Sequence, residues 1–229
     1  MIAVIVPIYN TEKYLRETID SVICQTLSFA EHIRLILLDD ASTDGSFSIC
    51  EQYQKQYPKQ IVVKHYDTNQ GVSALRNEGV RIAGEMGDEL ITFLDSDDKL
   101  ADDAMEKAKM YFESHEDISV AAIAVKYFGT RDGEQRLNWR FQEMDVVDIK
   151  KQYTFPHYYV GGVFLRKRVL NELHFDETMN FWEDALAINQ VIVSEGKYGL
   201  IQDTFYFYRK REDESSLVDT AWHKKEHYT

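Results

Sequence analysis

Five short apolar runs, the first four each followed by a segment of helical spacing, most constrain what this chain can fold into. The runs are residues 2–8, 33–38, 61–66, 89–94 and 118–126, several of them rich in Ile, Val and Leu. Between them, Tyr14, Leu15, Ile19, Val22 and Ile23 recur at three- and four-residue spacing across residues 11–26. Further helical segments are expected to about Tyr57, where Pro58 stops the pattern, over 72–85, and from near Asp102 to Glu113. Thr11 stands where a first N-cap is needed. Strands alternating with helices of this length predict βαβ units and a mainly parallel sheet with helices on both faces. The pattern loosens over 129–160, which reads as a ribbon and long loops. A strand at 161–165 entering a short helix 166–172, a helix over 183–195 and one or two edge strands within 199–209 complete the reading.

Within that framework, acidic residues collect at element ends. Asp39-Asp40 follows the second strand, Asp95-Ser96-Asp97-Asp98 follows the fourth, and Glu183-Asp184 opens a helix. Parallel strands put the first two groups on one rim of the sheet, the edge where open α/β folds bind ligands. Carboxylates at alternate positions of a turn can share a hard divalent cation that also holds phosphate oxygens. Like charges so close repel, which favours partial protonation. Each group also fits a local role. Asp39 or Asp40 can form an Asx-turn, Ser42-Thr43-Asp44 can cap the next helix, and Glu183-Asp184 suits a helix N-terminus.

Composition narrows the function. The chain has 229 residues and a net charge of −13, which excludes general binding to nucleic acid or anionic membrane through the whole surface. An anionic substrate then needs local cations. No 18-residue apolar stretch occurs, and the apolar run at the N-terminus lacks a basic n-region, so a cytosolic location is expected, with peripheral contact at the inner membrane face allowed. Cys24 and Cys50 are not in a C-x-x-C pair and read as reduced core residues. Neither G-x-x-x-x-G-K-[ST] nor G-x-G-x-x-G is present, and the loop Tyr9-Asn10-Thr11-Glu12-Lys13 has no glycine. The phosphates of a bound nucleotide would therefore be neutralised by metal and basic side chains. His223 and His227 near the end fit either a metal site or a frayed tail.

Five ordered motifs carry a resemblance. They are Val6-Pro7-Ile8-Tyr9-Asn10, Gln25-Thr26, Leu38-Asp39-Asp40-Ala41-Ser42-Thr43-Asp44-Gly45-Ser46, Asn69 through Asn77, and Ile91 through Asp98. Together they resemble the large family two of inverting GT-A glycosyltransferases, which use nucleotide-diphosphate sugars. The match is dense over residues 2–115 and continues through Trp182-Glu183-Asp184 and Tyr208-Arg209-Lys210-Arg211. The resemblance implies a GT-A (Rossmann-like) α/β catalytic domain over 1–210, with a nucleotide-binding half 1–115 and an acceptor-side half 116–210. Residues 211–229 are expected to be a charged, mobile segment. It also implies roles. Pro7 and Tyr9 contact the base, Asp40 accepts the uracil N–H, and Arg76 approaches the base or diphosphate with Asn69 beside it. Asp95 holds the ribose or a metal-bound water. Asp97 binds Mn²⁺ or Mg²⁺, and Asp184 is the general base. Arg211 and Ser215 belong to a loop closing over the diphosphate, although acidic Glu212-Asp213-Glu214 departs from the glycine-bearing version in relatives.

The implied activity is hexosyl transfer from a UDP-sugar to an acceptor hydroxyl with inversion, in bacterial cell-surface glycan synthesis. The acceptor would be a glycan, glycolipid or glycoprotein, met by residues 129–160 and Phe181-Trp182. Trp139, Tyr153, Phe155, Tyr158, Tyr159 and Trp182 are the aromatics available to stack on sugar or to fill core. Two other readings share the fold: a sugar nucleotidyltransferase, whose usual glycine-rich basic loop after the first strand is missing here, and a catalytically silent nucleotide-sugar binding domain.

Overall fold

A computed structural model describes residues 1–134, 138, 140–151, 159–179 and 181–211. In chain order its elements are β1 (Ile2–Ile8), α1 (Glu12–Ile23), α2 (Phe29–His32), β2 (Ile33–Asp39), α3 (Ser46–Gln56), β3 (Ile61–His65), α4 (Val72–Glu85), β4 (Leu90–Phe93), β5 (Lys99–Leu100), α5 (Ala104–Ser114), β6 (Val120–Gly129), β7 (Gly133–Glu134), α6 (Arg140–Glu143), β8 (Val146–Asp148), β9 (Val163–Arg166), α7 (Glu183–Glu195) and β10 (Lys197–Lys210).

The strands form one sheet in the order β3-β2-β1-β4-β9-β6-β10-β5, with β7 on β6 and β8 on β10. Strands β3, β2, β1 and β4 run parallel. Helices cover both faces. On one, Ile2, Val4, Val6 and Ile8 of β1 pack with Leu15, Ile19 and Val22 of α1, Ile49 of α3 and Met105 and Phe112 of α5. On the other, Ala3 and Ile5 pack with Leu75 and Ala83 of α4 and Ile188 and Val191 of α7. Burial on both faces is why the central strands read as continuous apolar runs and not as alternating ones. Pro7 is tolerated in the middle of this sheet because β4 pairs with β1 only as far as Ile5.

The sheet is mainly parallel as expected, with β9 inserted antiparallel between β4 and β6. Several expectations need correction. Residues 199–209 are not edge strands. They belong to one 14-residue strand, β10, that lies inside the sheet and pairs along β6 with a break between Ile201 and Phe205. The expected helix 166–172 is only a 3₁₀ turn at Lys167–Val169. Cys50 is buried as expected, and its thiol is pushed up to about 12 chiefly by burial, but Cys24 is exposed. Both are free thiols. Trp139, Tyr153, Phe155, Tyr158, Ser215, His223, His227 and the segment 212–229 lie outside the described residues.

The contact between α4 and β1 positions the rim. A Cβ built on Gly79 would meet Cγ2 of the fully buried Ile5 and lie 3.1 Å from its Cγ1. Replacing Gly79 by Ala gains about 1 kcal/mol of helix propensity. Overpacking costs about 1–3 kcal/mol. Because Ile5 has no free space to move into, the clash wins. The Gly79→Ala protein is expected to lose up to about 2 kcal/mol in urea unfolding, and a raised midpoint would contradict this packing.

Candidate active site

Asp40 and Asn69 tie the ends of β2 and α4 together. The Asp40 amide donates to the Ile8 carbonyl at 2.8 Å, and Ala41 then turns with φ 59°. The Asp40 carboxylate is 3% exposed and accepts the Gln70 N–H at 2.6 Å and the Gly71 N–H at 2.9 Å. The Asn69 amide donates to the Asp40 carbonyl at 3.3 Å. Two backbone donors thus already occupy the carboxylate that the resemblance matched to a uracil N–H. Pro7 is buried in β1, while Tyr9 just beyond it is 51% exposed. Asp39 faces the other way, with Oδ2 2.7 Å from His65 Nδ1 and accepting the Ser42 N–H at 3.2 Å.

The segment 42–46 does what local capping chemistry requires. The Ser46 hydroxyl accepts the Thr11 N–H, and Asp44 accepts the Glu12 and Ser46 N–H groups at 3.0 and 2.9 Å. The first two bonds satisfy the Thr11 and Glu12 donors at the start of α1, and the third satisfies the Ser46 donor at the start of α3. Thr11 holds the N-cap position but makes no side-chain cap.

The acidic turn after β4 is held from three sides. The Thr18 hydroxyl of α1 lies 3.0 Å from the Ser96 carbonyl and 2.7 Å from that of Asp98. Asp98 is buried, accepting the Tyr206 hydroxyl at 2.7 Å and the Arg209 N–H at 2.7 Å. The Asp95 N–H donates to the Tyr206 oxygen at 3.2 Å. Burial, then the charges of Asp97 and Asp95, push the Asp98 carboxyl well above its usual range. Asp98 is therefore the anchor that ties the turn to β10, and it leaves Asp95 and Asp97 facing the rim.

Asp97 Oδ2 receives Nε of Arg211 at 2.7 Å and lies 2.7 Å from its Nη2. Arg209 donates from Nε to the Asp97 carbonyl at 2.6 Å and pairs with Glu17. Burial raises the Asp97 carboxyl, Arg211 opposes that, and Asp95 adds to it. Asp97 is a half-buried carboxylate, the kind of oxygen donor that takes a hard divalent ion, and Arg211 would have to leave Oδ2 for an ion to reach it. Among the described residues no three His, Cys, Asp or Glu side chains converge on one point, so phosphate or water oxygens would have to complete such a shell.

Arg76 joins the two acidic groups. It projects from α4, is 5% exposed, and donates from Nη1 to Glu183 at 3.0 Å and from Nη2 to Asp95 at 3.3 Å. Its guanidinium carbon lies 5.5 Å from the Phe175 ring centroid. Burial alone would lower its pKa. Asp95, Asp184 and Glu183 outweigh that and keep it charged. Arg76, which the resemblance matched to the neighbourhood of the base or diphosphate, has its guanidinium between Asp95 and Glu183. Asn77, one residue on, pins the approach to α7. It donates to the Phe175 carbonyl and accepts the Phe175 N–H, both at 2.9 Å.

Asp184 enters through a strained turn. Trp182, the N-cap of α7, has φ 65°, an unfavourable conformation for a bulky residue, and its side chain is 64% exposed. This turn sets Glu183 and Asp184 in the first helical turn. Burial raises the Asp184 carboxyl, Arg76 lowers it and Glu183 raises it further. Asp95, Asp97, Arg211, Arg76 and the Glu183-Asp184 pair thus form one constellation at the rim, while Asp40 and Asn69 hold each other at the neighbouring end of β2. Sequence reading named Glu183 only as a helix opener and assigned no role to Thr18, Asp98 or Tyr206. The adjoining Asp97-Asp98 run carried a hint, since one of two adjacent carboxylates on a turn must face inward.

Comparison with known proteins gives the family and the fold. A sequence model described as "Glycosyl transferase family 2" matches residues 3–174. The minor teichoic acid biosynthesis protein GgaA of Bacillus subtilis is 41% identical over 231 residues, covering 100% of this chain and 51% of GgaA. GgaB of the same organism is 39% identical over 96% of this chain and 24% of its own length. The chain therefore spans about half or less of these curated relatives. The crystal structure of S. aureus TarS 1–349 in complex with UDP-GlcNAc superposes with a TM-score of 0.79 at 25% identity, covering 92% of this chain and 59% of that one. The sheet flanked by helices is a GT-A fold, and this chain belongs to glycosyl transferase family 2, a family of sugar-transferring enzymes.

Proposed function

We propose that this chain transfers a sugar from a UDP-sugar to a hydroxyl of a cell-envelope polymer, with inversion, a divalent metal ion and Asp184 as general base. Arg76 is the observation that carries the reading. It contacts Asp95 on the donor side and Glu183 next to Asp184, so that one side chain couples the phosphate end of the site to the base. In this reading residues 1–115 hold the nucleotide and 116–210 meet the acceptor. TarS, crystallised with UDP-GlcNAc, supports UDP as carrier. The names of GgaA, GgaB and the poly(ribitol-phosphate) glycosyltransferases support a teichoic-acid type acceptor, a chain of polyols or sugars joined by phosphodiesters.

Tyr9 offers its exposed ring to the base. Each Asp40 oxygen, though already accepting one backbone N–H, keeps a lone pair for the uracil N–H. Asp97, with Asp95 through a water, would hold Mn²⁺ or Mg²⁺. When bound, that ion supplies Lewis-acid stabilisation of charge on the departing diphosphate. Arg211, released from Asp97, moves to the diphosphate. Asp184 takes the proton of the attacking hydroxyl on the opposite face of the sugar. A single base without an enzyme nucleophile gives inversion.

Asp97→Ala is expected to lose the dependence of UDP affinity on Mn²⁺ while Tyr9 and Asp40 keep weak nucleotide binding. Calorimetry with and without Mn²⁺ reads this, and an unchanged Mn²⁺ effect would remove Asp97 from the metal role. Release of UDP from UDP-sugars by the wild-type protein, abolished by EDTA and restored by Mn²⁺, separates the enzyme from a silent binding domain.

A further inference from the structure

We propose that the end of the β6–β10 ribbon is an acceptor subsite that holds a phosphodiester of the acceptor chain between Arg131 and Lys210 over a tyrosine platform. The inference rests on the function proposed above and adds the location and chemistry of acceptor recognition.

The register brings the platform together. Tyr208 lies opposite Tyr127, and Lys210 opposite Gly129, along the parallel pair of β10 with β6. Directly opposite residues in a sheet point to the same face. The Tyr127 and Tyr208 rings meet edge-on at 5.9 Å between centroids, and Tyr159 reaches Tyr208 at 6.2 Å. Lys210 Nζ lies 4.7 Å from the Tyr208 ring and 5.3 Å from Tyr127. The Arg131 guanidinium lies 4.8 Å from the Tyr127 ring. Gly129 turns with φ 97°, and Thr130 donates its N–H to the Lys210 carbonyl at 3.0 Å, so the turn that carries Arg131 is fastened to β10.

Charge distinguishes this cluster from its surroundings. Nearby Lys99 and Arg209 pair with Glu17, Lys126 with Glu134, and Arg211 with Asp97. Among the described residues Arg131 and Lys210 have no carboxylate within ion-pair distance. On a protein of net charge −13, two cations that share the Tyr127 ring and have no carboxylate partner among the described residues offer a local anion site. The location is appropriate. This end of β10 reaches the acidic turn, with the Arg209 N–H on Asp98 and Arg211 on Asp97. Tyrosine faces suit the polyol or sugar carbons of the chain, the cations suit the phosphate between them, and the next hydroxyl is presented toward the rim.

The test measures binding of oligo(glycerol phosphate) without donor, at low and high salt, with free glycerol as the uncharged control and UDP affinity measured alongside. The wild-type protein is expected to bind the oligomer more weakly as salt rises, and glycerol not measurably. The double variant Arg131→Gln/Lys210→Gln should lose about tenfold or more of oligomer affinity and keep UDP affinity within about twofold. Lys150→Gln/Lys151→Gln has the same net charge and lies near β8, which pairs with the opposite end of β10, so it should bind like the wild type. The subsite is overturned if the Arg131/Lys210 variant binds the oligomer normally, if the Lys150/Lys151 variant loses as much, or if the loss falls on UDP. It is also overturned if the wild type binds UDP but not the oligomer. Absence of UDP binding by the wild type would instead overturn the proposed function.

Discussion

Asp184→Asn is expected to lower the transfer rate by about 10²–10⁴-fold, the range a positioned general base supplies. The amide has nearly the same shape but cannot take a proton. UDP affinity should stay within about twofold, because Asp184 sits at the start of α7 and not among the residues assigned to base, ribose or metal. The loss should therefore appear in kcat, read by UDP release with an acceptor present. A variant keeping more than about a tenth of the wild-type rate would remove Asp184 from the base role. The pH profile offers a second readout. The base must be ionised to act, so activity rises as pH climbs through its pKa. Burial holds the Asp184 carboxyl above the ordinary Asp value. The acid limb of kcat should accordingly fall above the ordinary value of about 4, and the residual rate of Asp184→Asn should lack that limb.

Arg76→Met should have the largest effect on stability. The guanidinium is buried and faces Asp95, Glu183 and Asp184, and methionine keeps the stem but removes the charge. Breaking a buried ion pair by removing one partner costs about 3–5 kcal/mol, because the remaining charge stays desolvated. Here the carboxylates left behind also repel one another. Urea unfolding should show a loss of that order, reduced where protonation relieves the repulsion. Adding Glu183→Gln should recover part of it, since that carboxylate then needs no partner. The catalytic pH profile should move as well. Arg76 lowers the Asp184 pKa, so its removal raises that pKa and shifts the acid limb of any residual activity to higher pH. A stability change within about 0.5 kcal/mol, the range of ordinary surface substitutions, would refute the ion network as drawn.

Glu183 shows how far the sequence could be read. Its place at the start of a helix was legible, because acidic residues before the periodic run Ala185, Leu186, Ile188, Val191 fit a helix N-terminus. Its pairing with Arg76, 107 residues earlier, was not, since nothing in local periodicity reports which guanidinium a carboxylate meets. Asp97 and Asp98 make the same point. Both belong to the acidic turn, but only the contacts of Tyr206 and Arg209 show that Asp98 is a buried anchor while Asp97 carries Arg211.

By itself, the sequence determined the succession of the main strands and helices over residues 2–126, the two-sided burial of the central strands and the family, because side-chain period and short motifs are local properties. Tertiary structure alone decided that β9 runs antiparallel, that β10 lies inside the sheet, and that Arg76 and Arg211 face carboxylates. Those outcomes depend on which distant surfaces bury one another and on where desolvated charges find opposite partners, and neither is encoded in the spacing of neighbours along the chain.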